Sequence, residues 1–146
     1  MRRTASSLCV ALSACLIAAG SAGSKEKEAE KSHQEAAKSP QATAYSAYVA
    51  AVKAGDVEAW KKLVPSWQAN ELELDCKLRK KTPKELMAWY AEIPPDDMYF
   101  VSVSVKGNEA TLRLTGKRKS GEKVKGEVSL LLEDGSWKIA GQSGDN

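Results

Sequence analysis

The stretch MYFVSVSVKGNEATLRLTGK, Met98 to Lys117, decides the fold. Tyr99, Val101, Val103 and Val105 alternate with Phe100, Ser102 and Ser104. Beyond Gly107-Asn108, Ala110, Leu112 and Leu114 alternate with Thr111, Arg113 and Thr115. A period of two sends successive side chains to opposite faces, so each run reads as a strand with one buried face and a turn between them. After a basic loop, GKRKSGEKVKG, the pattern returns in Val128, Leu130 and Leu132. Asp134-Gly135 then marks a hairpin turn leading to Trp137 and Ile139. The expectation is a meander of four antiparallel strands. Its inward positions are Val103, Val105, Ala110, Leu112, Leu114, Val128, Leu130, Leu132, Trp137 and Ile139.

Upstream of this sheet the period is helical. Tyr45, Tyr48, Val49 and Val52 are spaced by three and four, and Gly55 ends that helix. Asp56 caps a second helix carrying Val57, Trp60, Leu63 and Val64, which stops before Pro65. Thr82-Pro83-Lys84-Glu85 is a capping-box start for a third, with Leu86, Met87, Trp89 and Tyr90, closed by Pro94-Pro95. Between them, Leu72, Leu74, Cys76 and Leu78 alternate with charged residues, which by period is a short strand or extended segment. Helices followed by strands predict an α+β domain over 42–146: three N-terminal helices packed on a curved four-stranded antiparallel sheet.

The N-terminus carries a different message. Arg2 and Arg3 precede an apolar run from Leu8 to Ala19, too short to span a bilayer, and small residues then lead into charge. This is the pattern of an export signal over 1–23. Leu12-Ser13-Ala14-Cys15 resembles the lipobox of bacterial lipoproteins, which implies a lipid, palmitate included, on Cys15 and a membrane anchor. Leu16 in the next position lacks the aspartate tied to inner-membrane retention in enterobacteria, so the expected place is the outer membrane, facing the periplasm. The competing reading is a cut after Ala22 that releases a periplasmic or secreted protein.

Of the three cysteines, Cys9 leaves with the signal and Cys15 is lipidated or lost. Cys76 stands alone, read as a small buried apolar residue. The chain's formal charge of +3 falls to +1 without Arg2 and Arg3, which argues against nucleic acid as a partner. Residues 24–41 are polar, alternate in sign and lack aromatics, so they read as a charged tether between anchor and domain. His33, the only histidine, lies in it with no second ligand nearby, so no metal site is expected.

The wording of the folded part resembles the nuclear transport factor 2-like superfamily. YVAAVKAGDVEAWKKLV is similar to its opening helix, Gly-Asp step and second helix. VKGNEATLRLTGK and GEVSLLLEDGSWKI are similar to the sheet of its bacterial lipoprotein members. The resemblance covers about Tyr45 to Ala140 and implies a cone-like fold. The superfamily holds ketosteroid isomerase-like and SnoaL-like enzymes beside non-catalytic binding domains, so fold does not decide function.

Two function classes follow. Every assigned inward position is apolar and the domain has no histidine, which points to a non-catalytic domain binding a small apolar ligand or an envelope protein, with no cofactor. The rival is a lyase or isomerase in which Asp97 and Tyr99 form an acid-base pair near the cone's mouth; Asp96 and Asp97 otherwise read as a turn after Pro94-Pro95. Ligand contacts are expected from Trp67, Tyr90 and Tyr99, with Trp60 and Trp89 in the core. Lys117, Arg118, Lys119, Lys123 and Lys125, with Arg79, Lys80, Lys81 and Lys84, form the one concentrated basic feature. It is either an anion-attracting surface or a solvated hairpin that guards a sheet edge.

Overall fold

The computed structural model describes residues 32–145; the segment expected to be an export signal, Cys15 and the first part of the expected tether lie outside them. Its elements are α1 (32–37), α2 (Pro40–Ala54), α3 (Val57–Leu63), α4 (Ser66–Asn70), α5 (Leu72–Arg79) and α6 (Pro83–Tyr90). Four strands follow: β1 (Asp97–Lys106), β2 (Glu109–Lys117), β3 (Lys123–Glu133) and β4 (Ser136–Asp145). The strands form one antiparallel sheet in the order β1-β2-β3-β4; α2, α3, α5 and α6 pack on one face of it, and α1 lies beside the β1 edge. The α+β class is therefore as the sequence predicts. Among the described residues no helix is long and apolar enough to cross a membrane.

Local chemistry sets the helix ends. The Ala42 N–H donates to the Ser39 hydroxyl at 3.1 Å, and Pro40 occupies the first turn of α2. Gly55 takes the left-handed conformation (φ 67°) that closes α2, where a side chain would be strained. Asp56 accepts from the Ala59 N–H at 2.9 Å and starts α3. Thr82 and Glu85 form the reciprocal capping box of α6, which holds the Glu85 carboxyl below its ordinary range.

The core lies between these helices and the sheet. Tyr45, Tyr48, Val49 and Val52 of α2, Trp60 of α3, and Leu86 and Met87 of α6 cover Ala110, Leu112, Leu114, Val128, Leu130 and Ile139. Each fully buried aliphatic chain contributes about 1.5–3 kcal/mol relative to exposure. Gly116 is obligatory for another reason. A Cβ there would collide with the Asp97 carbonyl and stand 2.7 Å from the Pro95 ring, which crosses directly over β2.

Four expectations need correction. The segment 72–79 is a helix, not a strand: Leu72 and Cys76, one turn apart, are buried, while Leu74 and Leu78 face solvent. Within 32–41, expected as the end of a tether, α1 is helical with Ala36 buried, and Pro40 opens α2; Ser39 both caps α2 and donates to the Ala36 carbonyl at 2.7 Å. Trp89 lies at the surface, stacked under the Arg79 guanidinium at 4.6 Å, because Leu86 and Met87 already fill the inward face of α6. Finally, β1 does not keep one register. A bulge at Val101 pairs Phe100 with Leu114 but Ser102 with Arg113. Met98 and Phe100 thus join the core, Tyr99 turns outward, and Val105 at the strand's far end is exposed.

Candidate functional site

A second bulge builds the most distinctive chemistry of the inner face. Leu130 pairs with Ile139, whereas Ser129 pairs with Gly141, so Ala140 is the extra residue in β4. The shift aims Gln142, opposite Val128, at α2. Its amide is held at both ends: the Tyr45 hydroxyl donates to Gln142 Oε1 at 3.0 Å, and Gln142 Nε2 donates to the Tyr48 hydroxyl at 3.3 Å. The two tyrosine rings stack with centroids 5.9 Å apart. Burial pushes the Tyr48 hydroxyl up to about 12, against the opposing pull of the Trp60 and Gln142 side chains. Burial, then the neighbouring Tyr48, drives Tyr45 higher still. Both are neutral hydroxyls at physiological pH, able to donate and accept the hydrogen bonds that orient polar groups.

Beside this network a cleft of about 200 Å³ opens between helices and sheet, lined by Tyr48, Ile139, Gly141 and Gln142 on one side and by Gln68, Arg79, Trp89, Tyr90 and Ile93 on the other. Tyr90 stacks on buried Trp60 at 6.0 Å and tilts against Trp89 at 5.3 Å, so the aromatic wall is continuous from core to rim. Its hydroxyl donates to Asp75 Oδ2 at 3.4 Å, and burial followed by that carboxylate raises its pKa. One polar atom in the cleft is unsatisfied: Gln68 Oε1 is buried and accepts no hydrogen bond. An orphaned acceptor of this kind costs about 1–3 kcal/mol.

A larger trough of about 460 Å³ lies on the opposite sheet face, lined by His33, Val101, Thr115, Lys125 and Ser143 around the Arg113–Glu127 pair. Volume alone would choose it, but chemistry does not. Its strongest charged groups already satisfy each other, Arg113 Nε to Glu127 Oε1 at 2.6 Å, whereas the cleft offers the unpartnered acceptor of Gln68, the amide of Gln142 and an aromatic wall. Among the described residues no three His, Cys, Asp or Glu side chains converge as a metal site would require.

The residues expected from sequence are only partly gathered here. Tyr90 lines the cleft. Trp67 is exposed outside it, although its neighbour Gln68 is a lining residue. Asp97 and Tyr99 do meet, the Tyr99 hydroxyl donating to Asp97 Oδ2 at 3.3 Å, but on the outer face and in solvent; that bond raises the Tyr99 pKa. Asp96 accepts from the Lys119 N–H at 2.9 Å and so ties the basic loop to the turn after Pro94-Pro95. Cys15 lies outside the described residues. Gln142, Gln68 and Arg79 went unread as ligand-cleft groups. For Gln142 alternation misleads: continued from Trp137 and Ile139 it passes through Gly141 and Ser143, and only the bulge turns Gln142 inward.

No protein-family model matches the chain, and neither does any curated protein. Among solved structures the chain is similar to an NTF-2-like protein of unknown function from Silicibacter pomeroyi DSS-3. The two share 17% identity over 84% of this chain and 97% of that one, with a TM-score of 0.42.

Proposed function

We propose that this chain is a cell-envelope lipoprotein, held by a lipid on Cys15 in the outer membrane and facing the periplasm, whose domain binds a small ligand without transforming it. The cleft between α6, α4 and β4 is the binding site. The observation that carries this reading is the buried, unpartnered Gln68 Oε1 beside an aromatic wall. A ligand with an apolar or aromatic body and a hydrogen-bond donor at one end would satisfy that oxygen and displace water from Trp89, Tyr90 and Ile93. At about 200 Å³ the cleft lies below the usual 300–1,000 Å³ of drug-sized sites, so the ligand is small.

Native mass spectrometry of the purified chain tests the binding. A co-purifying small molecule is expected, and Gln68→Leu should release it while leaving the fold intact. Retention of the same molecule by Gln68→Leu together with Tyr90→Ala would move the site elsewhere. The isomerase alternative needs Asp97 and Tyr99. Asp97→Asn with Tyr99→Phe is expected to change neither binding nor cellular phenotype, and loss of phenotype in a folded double variant would favour that alternative. Fatty-acid labelling that disappears in Cys15→Ser supports the anchor, whereas a mature N-terminus at Gly23 would replace it with secretion.

A further inference from the structure

Helices α4 and α5 carry an apolar stripe that nothing among the described residues covers. Glu71 alone separates them, and the hydrogen-bond ladder runs through it: the Glu71 N–H donates to Trp67 O at 3.1 Å and the Asp75 N–H to Glu71 O at 3.0 Å. On such a ladder positions i, i+7 and i+11 share a face. These are Trp67, Leu74 and Leu78, which are 50%, 55% and 72% exposed. They lie opposite Leu72 and Cys76, the residues that dock α5 on the core. At 1.5 Å per residue the stripe is about 16 Å long. Single exposed leucines are ordinary, but three large apolar side chains on one face, interrupted by the single carboxylate of Glu71, mark an interaction surface.

The charge around the stripe says what it meets. From Lys77 to Lys84 the chain holds five cations, Lys77, Arg79, Lys80, Lys81 and Lys84, and no carboxylate. None of the five forms an ion pair among the described residues; Arg79 stacks on Trp89 instead. The carboxylates gather towards the other end: Glu71 lies on the stripe itself, one turn after Trp67, and Glu73 and Asp75 sit in the first turn of α5, where Asp75 already accepts from Tyr90. Exposed Leu74 and Leu78 bordered by unpaired lysines, with Trp67 further along the same face, are the composition of a helix whose C-terminal end lies in a bilayer interface. There the apolar chains enter the acyl boundary and the lysines face anionic headgroups.

We infer that the outer face of α4–α5 is a membrane-contact surface specific for anionic phospholipid, which lays the domain flat on the bilayer. The contact uses only described residues and does not require lipid on Cys15, so it stands or falls separately from the anchor and from the cleft.

The test uses the complete chain throughout, so the N-terminal apolar run is common to every sample and only differences are read. Brominated lipid quenches tryptophan that enters the acyl region. In vesicles of about one-third phosphatidylglycerol in phosphatidylcholine, quenching is expected in the wild type and its main component should vanish in Trp67→Phe. Leu74→Glu with Leu78→Glu should abolish that component while circular dichroism stays unchanged. Lys77→Glu, Lys80→Glu and Lys81→Glu together, or high salt, should reduce it at least about ten-fold, and pure phosphatidylcholine should give little. Quenching that is absent in the wild type, or equal in neutral and anionic vesicles, overturns the proposal. Concentration-dependent self-association abolished by Leu74→Glu, with no vesicle response, would show that a second copy covers the stripe instead and overturns it equally.

Discussion

Leu112 and Arg113 are consecutive residues of β2, yet they belong to different environments. Leu112 is fully buried, between Val103 and Val128 on neighbouring strands and under the helices. Arg113 points the other way, into solvent, and spans to Glu127 on β3. The inner face is held by burial of volume, and the amide that the sheet sends into it, Gln142, is bonded at both ends by Tyr45 and Tyr48. The outer face is held by little beyond the ladder itself, because an exposed ion pair gains about as much as it loses to solvent and side-chain entropy. Stability is therefore expected to depend on one face and to be nearly indifferent to the other.

The largest effect should come from volume removed under the helices. Leu112→Ala is expected to cost about 2–5 kcal/mol in urea unfolding, and a loss below about 1 kcal/mol would mean the face is not close-packed. Next comes the polar exception. Gln142→Ala strands two buried hydroxyls and should cost about 1–3 kcal/mol, and adding Tyr48→Phe should recover part of it. Additive losses in that double variant would show that the amide and the tyrosine are not coupled.

A pH experiment sharpens the same contrast. The ordinary tyrosine value is 10.0, and Tyr48 stands at about 12 when folded, with Tyr45 higher. Above pH 10 the unfolded chain releases these protons and the folded chain does not, so ionisation favours unfolding. Stability should hold below pH 10.0 and fall as pH rises from there towards about 12. Tyr45→Phe with Tyr48→Phe should flatten that alkaline loss; an unchanged slope would place its origin elsewhere. The smallest effect belongs to the outer face. Arg113→Ala is expected to shift stability by no more than about 0.5 kcal/mol, and a change above about 2 kcal/mol would contradict the two-face description.

Much of the inner face is legible in sequence because alternation is a local property. Ala110, Leu112, Leu114, Val128, Leu130 and Ile139 were all readable and all are buried. Trp137, read as fully inward, is only partly buried, beside the turn that closes the hairpin. The candidate site is less legible. Of Trp67, Tyr90 and Tyr99, only Tyr90 reaches the cleft, and the amides that give it polarity lie where no pattern points.

The sequence alone determined the element types around strong signals: the caps at Asp56 and Thr82, the stop at Gly55, and the turn at Asp134-Gly135, where both residues take positive φ. Each depends on a few adjacent residues, so composition and spacing suffice. Tertiary structure decided the rest. The apolar set Leu72, Leu74, Cys76 and Leu78 fits a period of two, but Leu72 with Cys76 also fits one helical turn, and the neighbouring helices selected the turn. The bulges at Val101 and Ala140 rotate Phe100 and Gln142 inward and Tyr99 outward. Where a strand gives up its register is set by strain and packing across the whole sheet, a non-local quantity that no window of one strand contains.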